Sequence, residues 1–215
     1  MRQISLIIFL GLAVSLCNLT NKLKPGGGNA NNPPTAPSSS SPASSSHGDP
    51  VERPNPTAAQ TTALAGGQEV KWDQQGIIFT VPPKWTEATN ETKMLVWRSP
   101  GSWDAASLIV NISLLAENFP TEMSLNGFHE NARTRAKNGE VDEVKWLAID
   151  GVRGLQFREA NPEQPDDQRR LQWLGYRKYA GQVHLVNLML AARGKDFARH
   201  QDAIYAILYS TKMVH

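Results

Sequence analysis

Residues 68–215 are predicted to form one α+β domain, an α/β/α sandwich with a mainly antiparallel sheet and two principal helices. Three features carry this reading. Short runs rich in β-branched and aromatic residues alternate with turn residues. Asp150-Gly151 lies between two such runs, the preferred pairing for a type I′ hairpin turn. Two longer stretches repeat their apolar residues at helical spacing. The order is strands, helix, four strands, helix, and one hydrophobic core suffices for a chain of this length.

Glu69–Trp72, Gly76–Val81 and Lys93–Arg98 read as the first strands. Pro82-Pro83 ends the second of them, because proline cannot donate to a ladder. Ala106–Leu115 is the clearest strand. Leu108, Val110, Ile112 and Leu114 fall on one dry face, and Ser107, Asn111 and Ser113 on a wetter one. Ser124 is the expected start of a helix whose stripe runs through Leu125, Phe128, His129, Ala132 and Ala136 to a stop at Gly139. Val141–Ile149 and Val152–Glu159 flank the Asp-Gly turn. Ala160–Gln168 reads as a polar loop. Leu171–Tyr179 and Val183–Ala192 form a second hairpin around Ala180-Gly181, and Lys195–Lys212 a final helix.

The preceding residues are a different kind of polymer. Residues 4–16 are uncharged and follow Arg2; a helix of that length covers roughly 20 Å, short of the ~30 Å hydrocarbon core of a bilayer. Residues 1–16 therefore read as a signal peptide. Residues 17–67 are Pro/Ser/Gly/Asn-rich; from 25 to 66 they hold 8 of the 14 prolines and only Val51 and Leu64 as bulky apolar side chains. Too little apolar surface is available to offset ordering entropy, so a disordered tether is expected. Cys17, the one cysteine, follows Val14-Ser15-Leu16. This resembles the lipobox of bacterial lipoproteins and implies lipidation of Cys17 and attachment to a membrane through an N-terminal lipid anchor. Leu16 stands where those proteins usually carry a small residue. Cleavage after Ala13-Val14-Ser15 is the alternative, which would leave a secreted or periplasmic protein with a free thiol. Asn18 after the cysteine is compatible with outer-membrane delivery.

Gly76-Ile-Ile-Phe-Thr-Val-Pro-Pro-Lys-Trp85 looks like the opening of the PsbP-like, Mog-type family. The strand ending near Leu115, the helix from Ser124, the Ile149–Gly154 turn and the terminal helix with Phe197 and Ile207-Leu208 extend the resemblance over residues 69–212. Lys84 stands where the family often has glycine. The resemblance implies an α/β/α sandwich and a kinship with DcrB- and LpqN-like bacterial lipoproteins, which are mostly binding or assembly factors.

The inventory of reactive groups favours binding over catalysis. One cysteine, outside the domain, makes neither an internal disulfide nor a structural zinc site, and the folded part's histidines (His129, His184, His200, His215) lack zinc-site spacing. No catalytic residues, metal ligands or cofactors are expected. Asp142 and Glu143 are neighbours in a strand and should face opposite ways; Asp166 and Asp167 belong to a solvated loop. From 68 to 215 the chain carries 18 basic and 18 acidic residues, which argues against a nucleic-acid partner. Arg133, Arg135 and Lys137 read as a solvated helix face. Six tryptophans exceed what such a core needs; Trp146, Trp173, Tyr176 and Tyr179 lie on the later hairpins, and Trp103 in a Gly-Ser-Trp-Asp loop. Most should pack the core, with some lining a shallow binding surface; which residues bind is left unassigned. The expected function is a lipid-anchored extracytoplasmic binding or assembly module with an envelope protein partner or a small apolar ligand. A secreted hydrolase with an unrecognised site, or an envelope carrier of an apolar ligand, are the alternatives.

Overall fold

The computed structural model describes residues 49–214; Cys17, the signal segment and the tether up to residue 48 lie outside it. In chain order the elements are β1 (Val51–Glu52), α1 (Ala58–Ala63), β2 (Gln68–Trp72), a 3₁₀ turn (Asp73–Gln75), β3 (Ile77–Val81), β4 (Thr86–Glu91), β5 (Met94–Arg98), β6 (Ser107–Leu115), α2 (Thr121–Lys137), β7 (Val141–Ile149), β8 (Val152–Glu159), β9 (Gln168–Tyr179), β10 (Gln182–Arg193), α3 (Gly194–Ser210) and β11 (Lys212–Met213). Eight strands form one sheet in the order β1-β7-β8-β9-β10-β6-β5-β4; a second sheet is β11-β3-β2. Every described pairing is antiparallel except β1 with β7. α2 packs on β7, β8 and β9, while α3 packs on β9 and β10 and against β3. The predicted α+β sandwich is the observed one.

Both hairpins form as the turn residues direct. Asp150 and Gly151 have φ of 48° and 83°, Ala180 and Gly181 φ of 48° and 78°. The left-handed conformation at both central positions is what a type I′ turn requires. Pro82-Pro83-Lys84-Trp85 is a β-turn closed by the Trp85 N–H donating to the Pro82 carbonyl at 3.3 Å. Pro83 presets its first central position, and Lys84 occupies the second at φ 67°, a conformation that favours glycine. Lys84 thus meets, with strain, a backbone demand that glycine meets freely.

Four expectations are corrected. Residues 49–67, assigned to the tether by composition, are ordered. Val51 and Glu52 pair with Trp146 and Leu147. Glu52 bonds Lys145 at 3.0 Å. A reciprocal Thr57–Gln60 capping box opens α1, and Leu64 packs against the core. Backbone pairing and local caps supply here what apolar content does not. α2 begins at Thr121 behind Pro120, not at Ser124, whose hydroxyl instead hydrogen-bonds the Tyr176 hydroxyl at 2.7 Å. The last helix ends at Ser210, because Lys212 and Met213 pair with Ile78 and Ile77. Leu114 is 40% exposed, because β6 there has run past its pairing with β5, which spans Ser107 to Asn111.

The core is organised by Trp173, which is fully buried in β9. Its indole N–H donates to the Leu147 carbonyl on β7 at 3.0 Å. To reach it the ring lies across Gly154 and Gly175, which pair on β8 and β9. A Cβ on either glycine would stand 2.3 Å from the indole. Leu147, Leu171, Leu188 and Phe197 share this core, while Leu125, Ala132, Trp146 and Phe157 form a second one beneath α2. At the far end of β9 the buried Arg177 donates to the backbone carbonyls of Gly76, Val214 and Gln75, tying the small sheet and the C-terminus to the large sheet. His184 beside it is buried, and burial followed by the nearby Arg177 charge lowers its pKa. Its Nδ1 has no hydrogen-bond partner among the described residues, in keeping with a neutral ring.

Three outcomes follow from this packing. Gly154→Ala should destabilise the fold by about 1–3 kcal/mol, read as a fall in Tm, because the added methyl must displace the indole. Lys84→Gly should stabilise the fold by up to about 1 kcal/mol, read as a higher urea midpoint at unchanged m-value, as left-handed strain is relieved in excess of the glycine entropy cost. His184 has a folded pKa below its unfolded value of about 6.5, so the neutral ring's contribution is full above that pH and is lost as pH falls below it. Between pH 7.5 and 5, His184→Gln should therefore lose less stability than the wild type in pH-dependent urea titrations.

Candidate binding surface

The face of the sheet that carries α2 is covered only in part. Residues of β9, β10, β6 and β5 continue beyond the helix in register, forming rows across four strands. One row is Arg170, Ala191, Ser107 and Arg98; the next is Gln172, Met189, Ile109 and Val96; a third includes Asn187, Asn111 and Met94. Strand alternation puts the opposite residues, Leu108, Val110, Ile112, Leu188 and Leu190, into the closed core. The wetter face of β6 expected from Ser107, Asn111 and Ser113 is this open floor, with Ile109 added.

A groove of about 340 Å³ lies at the arginine end of the floor, between Arg98 and Arg170, with Ile109 and Met189 beneath and Trp103 beside it. Arg98 and Arg170 are three strands apart, roughly 14 Å at backbone level at about 4.8 Å per strand. The small residues Ala191 and Ser107 separate them. Arg170 bonds Glu159 at 3.1 Å, and that carboxylate also meets Arg135 at 3.6 Å. Arg98 is exposed and has no acidic partner among the described residues. Among the described residues no acidic side chain lines the groove.

Trp103 is 83% exposed, whereas the other five tryptophans are at most 8% exposed. Its loop is fixed at both ends. The Ser99 N–H donates to the Ala106 carbonyl at 2.9 Å, and the Ala106 N–H to the Ser99 hydroxyl at 2.8 Å. Asp104, next to the tryptophan, pairs with Arg199 of α3 at 2.9 Å, and its carbonyl meets His200 Nε2 at 2.8 Å. Backbone hydrogen bonding and then Arg199 lower the Asp104 pKa, which keeps the clasp charged. An indole is thus held in solvent by contacts that do not involve the ring.

The residues singled out in the sequence are otherwise engaged. His129 stacks on Trp146 with centroids 4.5 Å apart, and Arg133 pairs with Asp49 at 3.4 Å. Trp146 and Trp173 are core residues; Tyr176 meets Ser124, and Tyr179 lies against Arg177. Asp166 pairs with Lys195 and Arg193, and chiefly the Lys195 hydrogen bond lowers its pKa. Asp142 and Glu143 correct their expectation, because a bulge between Val141 and Glu143 lets both address Arg158. All four of their carboxylate oxygens are taken. Asp142 binds Arg158 at 2.6 Å and Arg169 at 2.5 Å; Glu143 binds Gln156 at 2.5 Å and the Tyr205 hydroxyl. Burial and then Glu143 push the Tyr205 pKa far up, so this network is a structural tie between β7, β8 and α3. Among the described residues no group of three or more His, Cys, Asp or Glu could hold a metal ion, and no helix is long and apolar enough to cross a membrane.

No protein-family model matches the sequence, and no curated protein matches it. Solved structures do. LpqN of Mycobacterium tuberculosis, described as involved in cell envelope biogenesis, is 15% identical with a TM-score of 0.52, over 75% of this chain and 99% of that one. The cyanobacterial PsbP of Synechocystis is 14% identical with a TM-score of 0.45, over 69% of this chain and 92% of that one. The Ran-binding protein Mog1p of Saccharomyces cerevisiae is 12% identical with a TM-score of 0.41, over 69% and 95%. The fold of the described domain is the α+β sandwich seen in LpqN, matched over 99% of that chain and 75% of this one.

Proposed function

We propose that this chain is a lipid-anchored, extracytoplasmic binding or assembly module of the cell envelope that acts by presenting the open half of its sheet to a partner. The observation that carries the reading is Trp103, a large aromatic held in solvent by a clasped loop beside two arginines. Tryptophan and arginine are the residues on which protein interfaces most often concentrate their binding energy. A fold shared with an envelope-biogenesis protein supports the location. The Cys17 context supports the anchor, and the proline- and serine-rich residues up to 48 supply a spacer between membrane and domain. Several acyl chains hold a protein stably where a single one does not.

In a bacterial host, the full chain should incorporate labelled palmitate and sediment with membranes, and Cys17→Ala should abolish both. A wild type that takes up no label and fractionates like Cys17→Ala would instead establish the secreted alternative.

A further inference from the structure

The geometry points to an acidic segment of a partner protein as the occupant of the Arg98–Arg170 groove, with Trp103 as its anchor. This rests on the binding-module reading above and adds the chemistry of the partner.

The composition of the floor separates it from the rest of the surface. Methionine, arginine and tryptophan are enriched in interface cores, while lysine, aspartate and glutamate are depleted. The open rows hold Met94, Met189, Arg98 and Arg170 with Trp103 beside them, and no lysine or carboxylate stands in the rows. Charge then selects the partner. The domain as a whole balances 18 basic against 18 acidic residues over 68–215, yet both charged residues of the groove are cationic. Arg98 lacks an acidic partner among the described residues, and Arg170 shares its single carboxylate, Glu159, with Arg135. A planar guanidinium pairs best with a carboxylate, in a forked geometry that gives orientation as well as energy.

The chain's own N-terminal segment is the wrong partner. Residues 1–48 contain Arg2, Lys22 and Lys24 and no aspartate or glutamate, so the arginine row repels them. A small apolar ligand also fits poorly. Gln172 Nε2 donates to Asn187 Oδ1 at 2.9 Å, which leaves the Asn187 amide N–H groups and the Gln172 carbonyl for a ligand that extends from the groove along the floor; an apolar occupant there would bury them unpaired. A peptide supplies backbone donors and acceptors for these amides, carboxylates for the arginines and aliphatic side chains for Met189 and Ile109.

The test uses the full chain, titrated calorimetrically with a soluble Glu-rich peptide carrying two leucines and with its Gln counterpart. The Glu peptide should bind, more weakly as salt rises, and the Gln peptide should bind at least about tenfold more weakly. Trp103→Ala and the double variant Arg98→Ala/Arg170→Ala should each weaken the Glu peptide by roughly tenfold or more. Their circular dichroism should stay unchanged and Tm should fall by no more than a few degrees in the double variant, since these side chains are outside the core and Glu159 keeps Arg135 when Arg170 is removed. Equal binding of the two peptides, no binding of either, or full binding by the variants would overturn the proposal. So would Trp103-dependent sedimentation with phosphatidylglycerol vesicles by Cys17→Ala protein that ignores the peptide, which would assign the groove to a membrane surface. Cys17-dependent fractionation is indifferent to all of these outcomes, so loss of the acidic partner and loss of the envelope anchor are separately visible.

Discussion

The indole of Trp173 lying flat across two paired glycines is the constraint on which the rest of the domain depends. The ring crosses from β9 over β8 to a carbonyl on β7, so it fixes three neighbouring strands with one side chain. Gly154 and Gly175 are required because the space above them is already full. With the ring in place, Leu147, Leu171 and Leu188 close around it and α3 seats Phe197 on the same layer. Register follows as well. A slip by one residue in β8 would move Gly154 off the ring and turn Leu155 and Phe157 away from α2.

Fixing β7, β8 and β9 as a block also determines where the sheet is left open. α2 seats chiefly on that block, through a narrow stripe of Leu125, His129 and Ala132. The remaining strands are held by ladder bonds and by the core on their other face, so their second face needs no helix. The floor consequently keeps residues that a closed layer would not tolerate, including the Asn187–Gln172 amide pair and the two arginines. The Trp103 loop belongs to the same economy. Its clasp to Arg199 and His200 draws on α3, so the helix that closes the core on one side also braces the loop that exposes an indole on the other.

Much of the fold was legible because it rests on local chemistry. Asp150-Gly151 and Ala180-Gly181 specify their turns within two residues, and the alternation in β6 separates a dry face from a wet one over a single strand. Lys84 is legible in part: the two prolines before it mark a turn, and only the backbone reveals that the lysine takes its left-handed position. The oddity of Trp103 was visible as a tryptophan in a polar Gly-Ser-Trp-Asp setting. The bulge at Asp142 was not, since a strand pattern says nothing about where a residue is inserted, and it reversed the inference that the two carboxylates face apart. Nor was the order in residues 49–67, whose stability comes from a partner strand and a cap, not from composition.

The sequence alone determined most of the strands, the two long helices and both type I′ turns, that the folded part is electrically balanced, and that Cys17 directly follows an uncharged, mostly apolar run. Those properties depend on neighbours in the chain, or on sums over it. Only the tertiary structure decided that Arg98 and Arg170, 72 positions apart, stand in one row with two small residues between them. It alone decided that five tryptophans are buried and one is not. The physical reason is that burial and charge proximity are set by which surfaces the packed helices leave uncovered. That choice is made by the whole core, with Trp173 at its centre, and not by any local run of residues.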